Sequence, residues 1–141
     1  MRFNVLKSKY LWKNPIAKFL LQTIQSYNGT KYWRRRAIVT NPNDRTFVLL
    51  KLYYLFWMKR IEAKHNSSTG ALLNAGTQFI TPPSLPHGLN GIIIGHDAII
   101  GSNCCIYQQV TIAHGNVRIG DNVIIGAGAK ILPNVTIGKQ L

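Results

Sequence analysis

Isoleucine recurs about every sixth position from residue 94 to residue 137: Ile94, Ile100, Ile106, Ile112, Ile119, Ile125, Ile131 and Ile137. Every step is of six residues except Ile112 to Ile119, which is of seven. Helices repeat at 3.6 residues and ordinary strands at 2, so neither accounts for this period. A hexapeptide repeat does: each hexad supplies one short strand and one corner, and three hexads close a triangular turn of a parallel β-helix. The second slot of the pattern, two residues before each isoleucine, holds Ile92, Ala98, Cys104, Val110, Val117, Val123, Ala129 and Val135. All are apolar and most are small, so both slots point into the same prism. Glycine follows five of the isoleucines, which suits tight corners. Asn103, Asn122 and Asn134 suit turns, because asparagine tolerates unusual dihedrals.

The pattern upstream is different. Asn14-Pro15 opens a helix from Ile16 to about Tyr27, with Ile16, Phe19, Leu20 and Ile24 on a helical spacing and Asn28-Gly29 ending it. Residues 31–36 are basic and aromatic and are assigned to no element. The run Thr40-Asn-Pro-Asn-Asp44 reads as a loop, with Asn43 or Asp44 as an N-cap. A second helix runs from about Arg45 to Lys64. Its first three turns are apolar almost all round, which predicts burial on several sides, against the first helix, the coil end or another subunit. Residues 65–70 read as a polar linker, and residues 71–81 as the first strand-like edge. Pro82, Pro83 and Pro86 then force an irregular passage. The division expected is a basic, aromatic-rich helical segment over 1–70 and a repeat over 71–141. The coil reaches Leu141 without a polar cap, so it is read as truncated or covered by a partner.

Charge follows the same division. The chain has a formal net charge of +13, and of its 17 Lys and Arg only Arg118, Lys130 and Lys139 lie beyond residue 65. A basic front suits an acidic partner: a phosphorylated cosubstrate or a membrane surface. No nucleic-acid-binding signature accompanies Arg34-Arg35-Arg36, so no specific nucleic acid is expected. The residues of 1–14 lack the apolar run and cleavage site of a signal peptide. Cys104 and Cys105 are adjacent and suit a reduced, intracellular chain, so the expected location is cytoplasmic, with membrane association through the front.

The residues His87-Gly-Leu-Asn-Gly-Ile-Ile-Ile-Gly95, Ala98-Ile-Ile-Gly101, Val110-Thr-Ile112 and Ile124-Ile-Gly-Ala-Gly-Ala-Lys-Ile-Leu132 resemble the hexapeptide-repeat acyltransferases, in their serine acetyltransferase-like branch. The resemblance spans residues 87–138. It implies a fold that is mainly β, a left-handed parallel β-helix with an N-terminal α-helical segment. It also implies a homotrimer with sites between prisms, and transfer of acetyl from acetyl-CoA to a hydroxyl. His87 matches the family's general base. Pro86 stands where serine-specific enzymes have an acid, and Asn116 where they have a second histidine, with His114 nearby. These departures favour a sugar or polysaccharide hydroxyl over serine as acceptor.

On this reading His87 takes the acceptor's proton, assisted by His114 or Asn116 in the loop created by the one seven-residue step. Gly126, Ala127, Gly128 and Ala129 let the pantetheine arm lie close to the coil, and Lys130 meets a CoA phosphate. His96 is read as a corner residue. No metal is expected, since His87, His96 and His114 lack the paired spacing of a zinc site. The competing reading is a catalytically silent coil that serves as an assembly module.

Overall fold

The computed structural model describes residues 13–25 and 27–138. Trp12, Lys139, the end of the coil at Leu141 and nearly all of the segment read as lacking a signal peptide lie outside the described residues. Three helices come first: α1 (Pro15–Gln25), α2 (Gly29–Thr40) and α3 (Val48–Lys64). Eleven two-residue strands follow, β1 (Ala71–Leu72), β2 (Ala75–Gly76), β3 (Gln78–Phe79), β4 (Ile93–Ile94), β5 (Ile99–Ile100), β6 (Cys105–Ile106), β7 (Thr111–Ile112), β8 (Arg118–Ile119), β9 (Ile124–Ile125), β10 (Lys130–Ile131) and β11 (Thr136–Ile137).

Apart from the β1–β2 hairpin, the strands stack in parallel on three faces. Face I holds β4, β7 and β10; face II holds β3, β5, β8 and β11; face III holds β6 and β9. Equivalent isoleucines lie directly over one another, Ile94 on Ile112 on Ile131 and Ile100 on Ile119 on Ile137. This is the parallel β-helix that the hexads predict. The isoleucines fill the prism: seven are buried and Ile137 is half-buried. The second slot joins them, with Cys104 buried and its Sγ donating to Gly120 O at 3.1 Å. Asn103, Asn116, Asn122 and Asn134, each three residues before an inward isoleucine, all adopt left-handed φ between 55° and 62°. Two of the glycines that follow isoleucine, Gly95 and Gly101, serve another purpose. A Cβ on Gly95 would lie 2.7 Å from His114 N and 2.8 Å from Ala113 O, so glycine there permits the next coil to come close.

The coil also starts earlier than the regular hexads do. Ser68 bridges to Ile93, Phe79 pairs with Ile100, and Ser84 bridges to Cys105. An irregular turn therefore precedes the first regular one on all three faces.

Four upstream expectations are corrected. First, residues 31–36 belong to a helix, α2. Asn28 does not only end what precedes it; its Oδ1 accepts from Lys31 N at 3.1 Å and starts α2. Second, α3 begins at Val48 rather than about Arg45, because Asp44 closes a local turn onto Thr46 N at 2.8 Å instead of capping the helix. Third, α3 is not buried on several sides within this chain. Only Lys51, Met58, Ile61 and Glu62 are buried, and Leu49, Leu52, Tyr53 and Phe56 are exposed.

Fourth, residues 65–70 are no mere linker, since Thr69 is buried at the centre of a polar network. Glu62 Oε1 accepts from Tyr32 OH at 2.6 Å and from Thr69 N at 3.0 Å. The Arg36 guanidinium donates to Thr69 Oγ1, Thr69 O and Thr77 O at 2.8–3.1 Å. Burial lowers the Arg36 pKa to about 10, which still leaves it charged at neutral pH. Burial, with the adjacent Glu62 carboxylate, pushes the Tyr32 hydroxyl well up. The network locks α2 and α3 onto the first turns of the coil, beside an apolar cluster that contains Tyr32, Trp33, Val39, Met58 and Leu89.

Candidate active site

The faces of the prism meet at three edges, and the predicted site residues fall on two of them. The edge between faces III and I carries residues 107–109 and, one coil on, residues 126–129. The chain over 85–91 runs on to this edge: Gln109 N donates to Asn90 O at 2.9 Å. His87 is exposed there, its ring 6.1 Å from that of Tyr107. Gly128 N donates to Gln108 O at 3.0 Å, which stacks the 126–129 corner on the 107–109 corner. His87, Tyr107 and residues 126–129 thus form a line along one edge.

Gly126, Ala127 and Gly128 are exposed, and nothing lies within 4 Å of where a Cβ would stand on Gly126 or Gly128. Gly128 also has φ of +74°, the left-handed corner value that its neighbours meet with asparagine. The strip is flat and open, with room for a slender chain. Lys130 begins face I beside it. Its Nζ donates to Gln109 O at 3.0 Å and Thr111 Oγ1 at 3.1 Å, so the ammonium is held against the coil while remaining exposed. The side-chain oxygen of Gln108 is buried at this edge without a hydrogen-bond partner.

The edge between faces I and II carries the seven-residue step. Residues 113–116 lie over residues 95–97 of the coil before. Asp97 Oδ2 accepts from Gly115 N at 2.9 Å and from Asn116 N at 3.3 Å, and Asp97 Oδ1 lies 3.8 Å from His114 Nδ1. The amide of Gly115, then that of Asn116, holds the Asp97 carboxyl below its ordinary range. His96 stacks obliquely on His114, with ring centroids 4.5 Å apart. Among the described residues no three His, Cys, Asp or Glu side chains converge as a metal site would need.

The structure therefore places His87 on the same edge as residues 126–130, one coil apart across the 107–109 corner, and His114 beside Asn116 on a different edge of the prism. Sequence reasoning missed Tyr107 and Asp97. Stacking the coils at 18 or 19 residues per turn would have put Asp97 under residues 115–116, beneath the irregular step.

The sequence over residues 116–140 matches the model of the family described as bacterial transferase hexapeptide (six repeats). Relatives include a serine acetyltransferase of Staphylococcus xylosus, 34% identical over 92% of this chain and 59% of the relative. The serine acetyltransferase of Staphylococcus aureus strain N315 is 30% identical over 92% of this chain and 60% of its own length. That of Synechococcus elongatus is 36% identical over 52% of this chain and 32% of its own length.

The chain is built of hexapeptide repeats and is similar, over 92% of its own length, to the staphylococcal serine acetyltransferases. It spans about 60% of the length of the staphylococcal relatives it matches. No solved structure matched the hexapeptide-repeat chain.

Proposed function

We propose that this hexapeptide-repeat chain is an acyltransferase that moves acetyl from acetyl-CoA to a hydroxyl, with His87 as general base. The observation that carries the reading is the alignment of an exposed histidine with an open small-residue strip along one edge, in a chain related to serine acetyltransferases. The strip over residues 126–129 would take the pantetheine arm. Exposed backbone on a flat corner lets a slender chain approach closely, as side chains would not. Lys130 would meet a phosphate only by leaving Gln109 and Thr111, so its contribution is to the local positive charge. His87 would take the proton of the acceptor hydroxyl as oxygen attacks the thioester carbonyl; CoA thiol leaves as the new ester forms.

The acceptor is a sugar or polysaccharide hydroxyl rather than serine. Pro86 stands where serine-specific enzymes carry an acid, and Asn116, a left-handed corner residue, stands where they carry a second histidine. The site is completed between copies of the chain. His87 and His114 lie on different edges of one prism, so a ring of three prisms would set the His87 edge of one against the His114 edge of the next. Ile93, Ile124 and Leu132 are exposed apolar residues on the outside of the coil, which suits such contacts.

The test is acetyl transfer from acetyl-CoA, followed as free thiol, with serine and with a panel of sugars and oligosaccharides. Turnover with a sugar acceptor that falls by about a hundredfold or more in His87→Ala is the expected result. No turnover and no CoA binding with any acceptor would sink the enzyme reading, and a preference for serine would overturn the acceptor assignment.

A further inference from the structure

The front of the chain presents an apolar face that nothing in the described structure covers. On α3 the outward positions Leu49, Leu52, Tyr53 and Phe56 follow i, i+3, i+4, i+7 spacing, with Leu49 62% and Phe56 66% exposed. The same outward side then turns basic with Lys59, Arg60 and Lys64, all exposed. Helical rise puts Phe56 roughly 10 Å from Leu49 and about 12 Å from Lys64, so the apolar and cationic halves are of similar length. On α1, Ile16, Phe19 and Ile24 are 70%, 67% and 78% exposed. The two helices adjoin: Phe19 and Thr23 line one groove with Lys31, Trp57, Arg60 and Ile61.

Charge decides what fits. Residues 1–65 carry only two acids, Asp44 and Glu62, and Glu62 is buried among Tyr32, Thr69 and Lys59. A second copy docking through this face would bring cations against cations with almost no acid to answer them. A nucleic acid would meet the charge but leave the leucines, isoleucines and phenylalanines wet. A surface that is anionic outside and apolar just beneath satisfies both halves. That combination is the pattern of helices lying in a lipid interface.

We propose that the outer face of α3, together with α1, docks on an anionic membrane surface. Leu49, Leu52 and Phe56 enter the acyl boundary, Tyr53 sits at headgroup level, and Lys18 and Arg60 lie among the phosphates, while Lys59 stays paired with Glu62. None of α1, α2 and α3 is long and apolar enough to cross a membrane, so the contact is peripheral. The assignment is independent of acetyl transfer, and its failure leaves that reading untouched.

Co-sedimentation of the whole chain with vesicles tests it. The vesicles are of phosphatidylcholine alone, or with about one-third phosphatidylglycerol, at low and high salt. Binding to the anionic vesicles that weakens with salt is expected. A Lys18→Gln, Arg60→Gln chain should bind less tightly by about fivefold per charge. A Leu49→Ser, Phe56→Ser chain should lose tenfold or more. Circular dichroism checks that helix content is kept; if the serine chain fails that check, the charge variant decides. Three outcomes overturn the proposal: no vesicle binding, equal binding to neutral and anionic vesicles, or a charge variant that binds as tightly as the parent. A loss of self-association in Phe56→Ser without vesicle binding would assign the face to a second copy.

Discussion

Asp97 shows how a single carboxylate can hold an irregular loop in place. The extra residue between Ile112 and Ile119 lifts residues 113–116 off the regular path, leaving two amides to be satisfied. Asp97, one coil earlier on the same edge, accepts from both Gly115 and Asn116. Those hydrogen bonds favour the charged form and lower its pKa. A carboxyl whose folded pKa is depressed stabilises the fold above its unfolded value of about 3.9, and this is lost as pH falls through the folded value. The amide resonances of Gly115 and Asn116 should therefore stay constant above about pH 5 and move together only below about pH 4. In Asp97→Asn they should lose that dependence, and His114 should lose its fixed neighbour. Amides that titrate at the ordinary carboxylate value or higher would show that Asp97 does not hold the loop.

At the scale of the element, two packing schemes meet and only one of them was legible in the sequence. The coil could be read because every strand faces the prism at the same register, so Ile106 and Ile125 repeat one environment and leave a period. The α2 helix left none. Its buried side is polar as well as apolar, Tyr32, Trp33, Arg36 and Val39, and three consecutive arginines obscured it. The Asp97 contact was hidden for a related reason: it depends on how coils stack, not on neighbours in sequence. Glu62 likewise reads as one more surface charge on a basic helix, yet it accepts from Tyr32, Thr69 and Lys59. Glu62→Ala should cost about 3 kcal/mol or more, because Arg36 would be left buried without a nearby anion and Tyr32 and Thr69 without an acceptor. Urea unfolding followed by tryptophan fluorescence checks this. A loss under about 1 kcal/mol would mean that the network contributes little to holding α2 and α3 on the coil.

At the scale of the whole molecule, the separation of His87 from His114 within one prism makes assembly part of the proposed chemistry. A threefold ring uses heterologous contacts, in which one patch meets a different patch on the next copy and the ring closes. A prism with unlike edges is suited to that arrangement. The His87 edge carries the open strip and Tyr107, whereas the His114 edge carries Asp97 and His96. If each site takes His87 from one copy and His114 from its neighbour, damage to either edge should be complemented by the other. His87→Ala and His114→Ala chains, each impaired alone, should regain activity when unfolded together and refolded as a mixture. Random assembly leaves about a quarter of the interfaces with both histidines intact, so recovery should approach that fraction of the parent rate. Refolding each variant alone supplies the baseline. A mixture no more active than the mean of the separate variants would place both residues' contributions within one chain, or remove His114 from the chemistry. The edge-to-edge site would then have to be abandoned even if acetyl transfer by His87 stood.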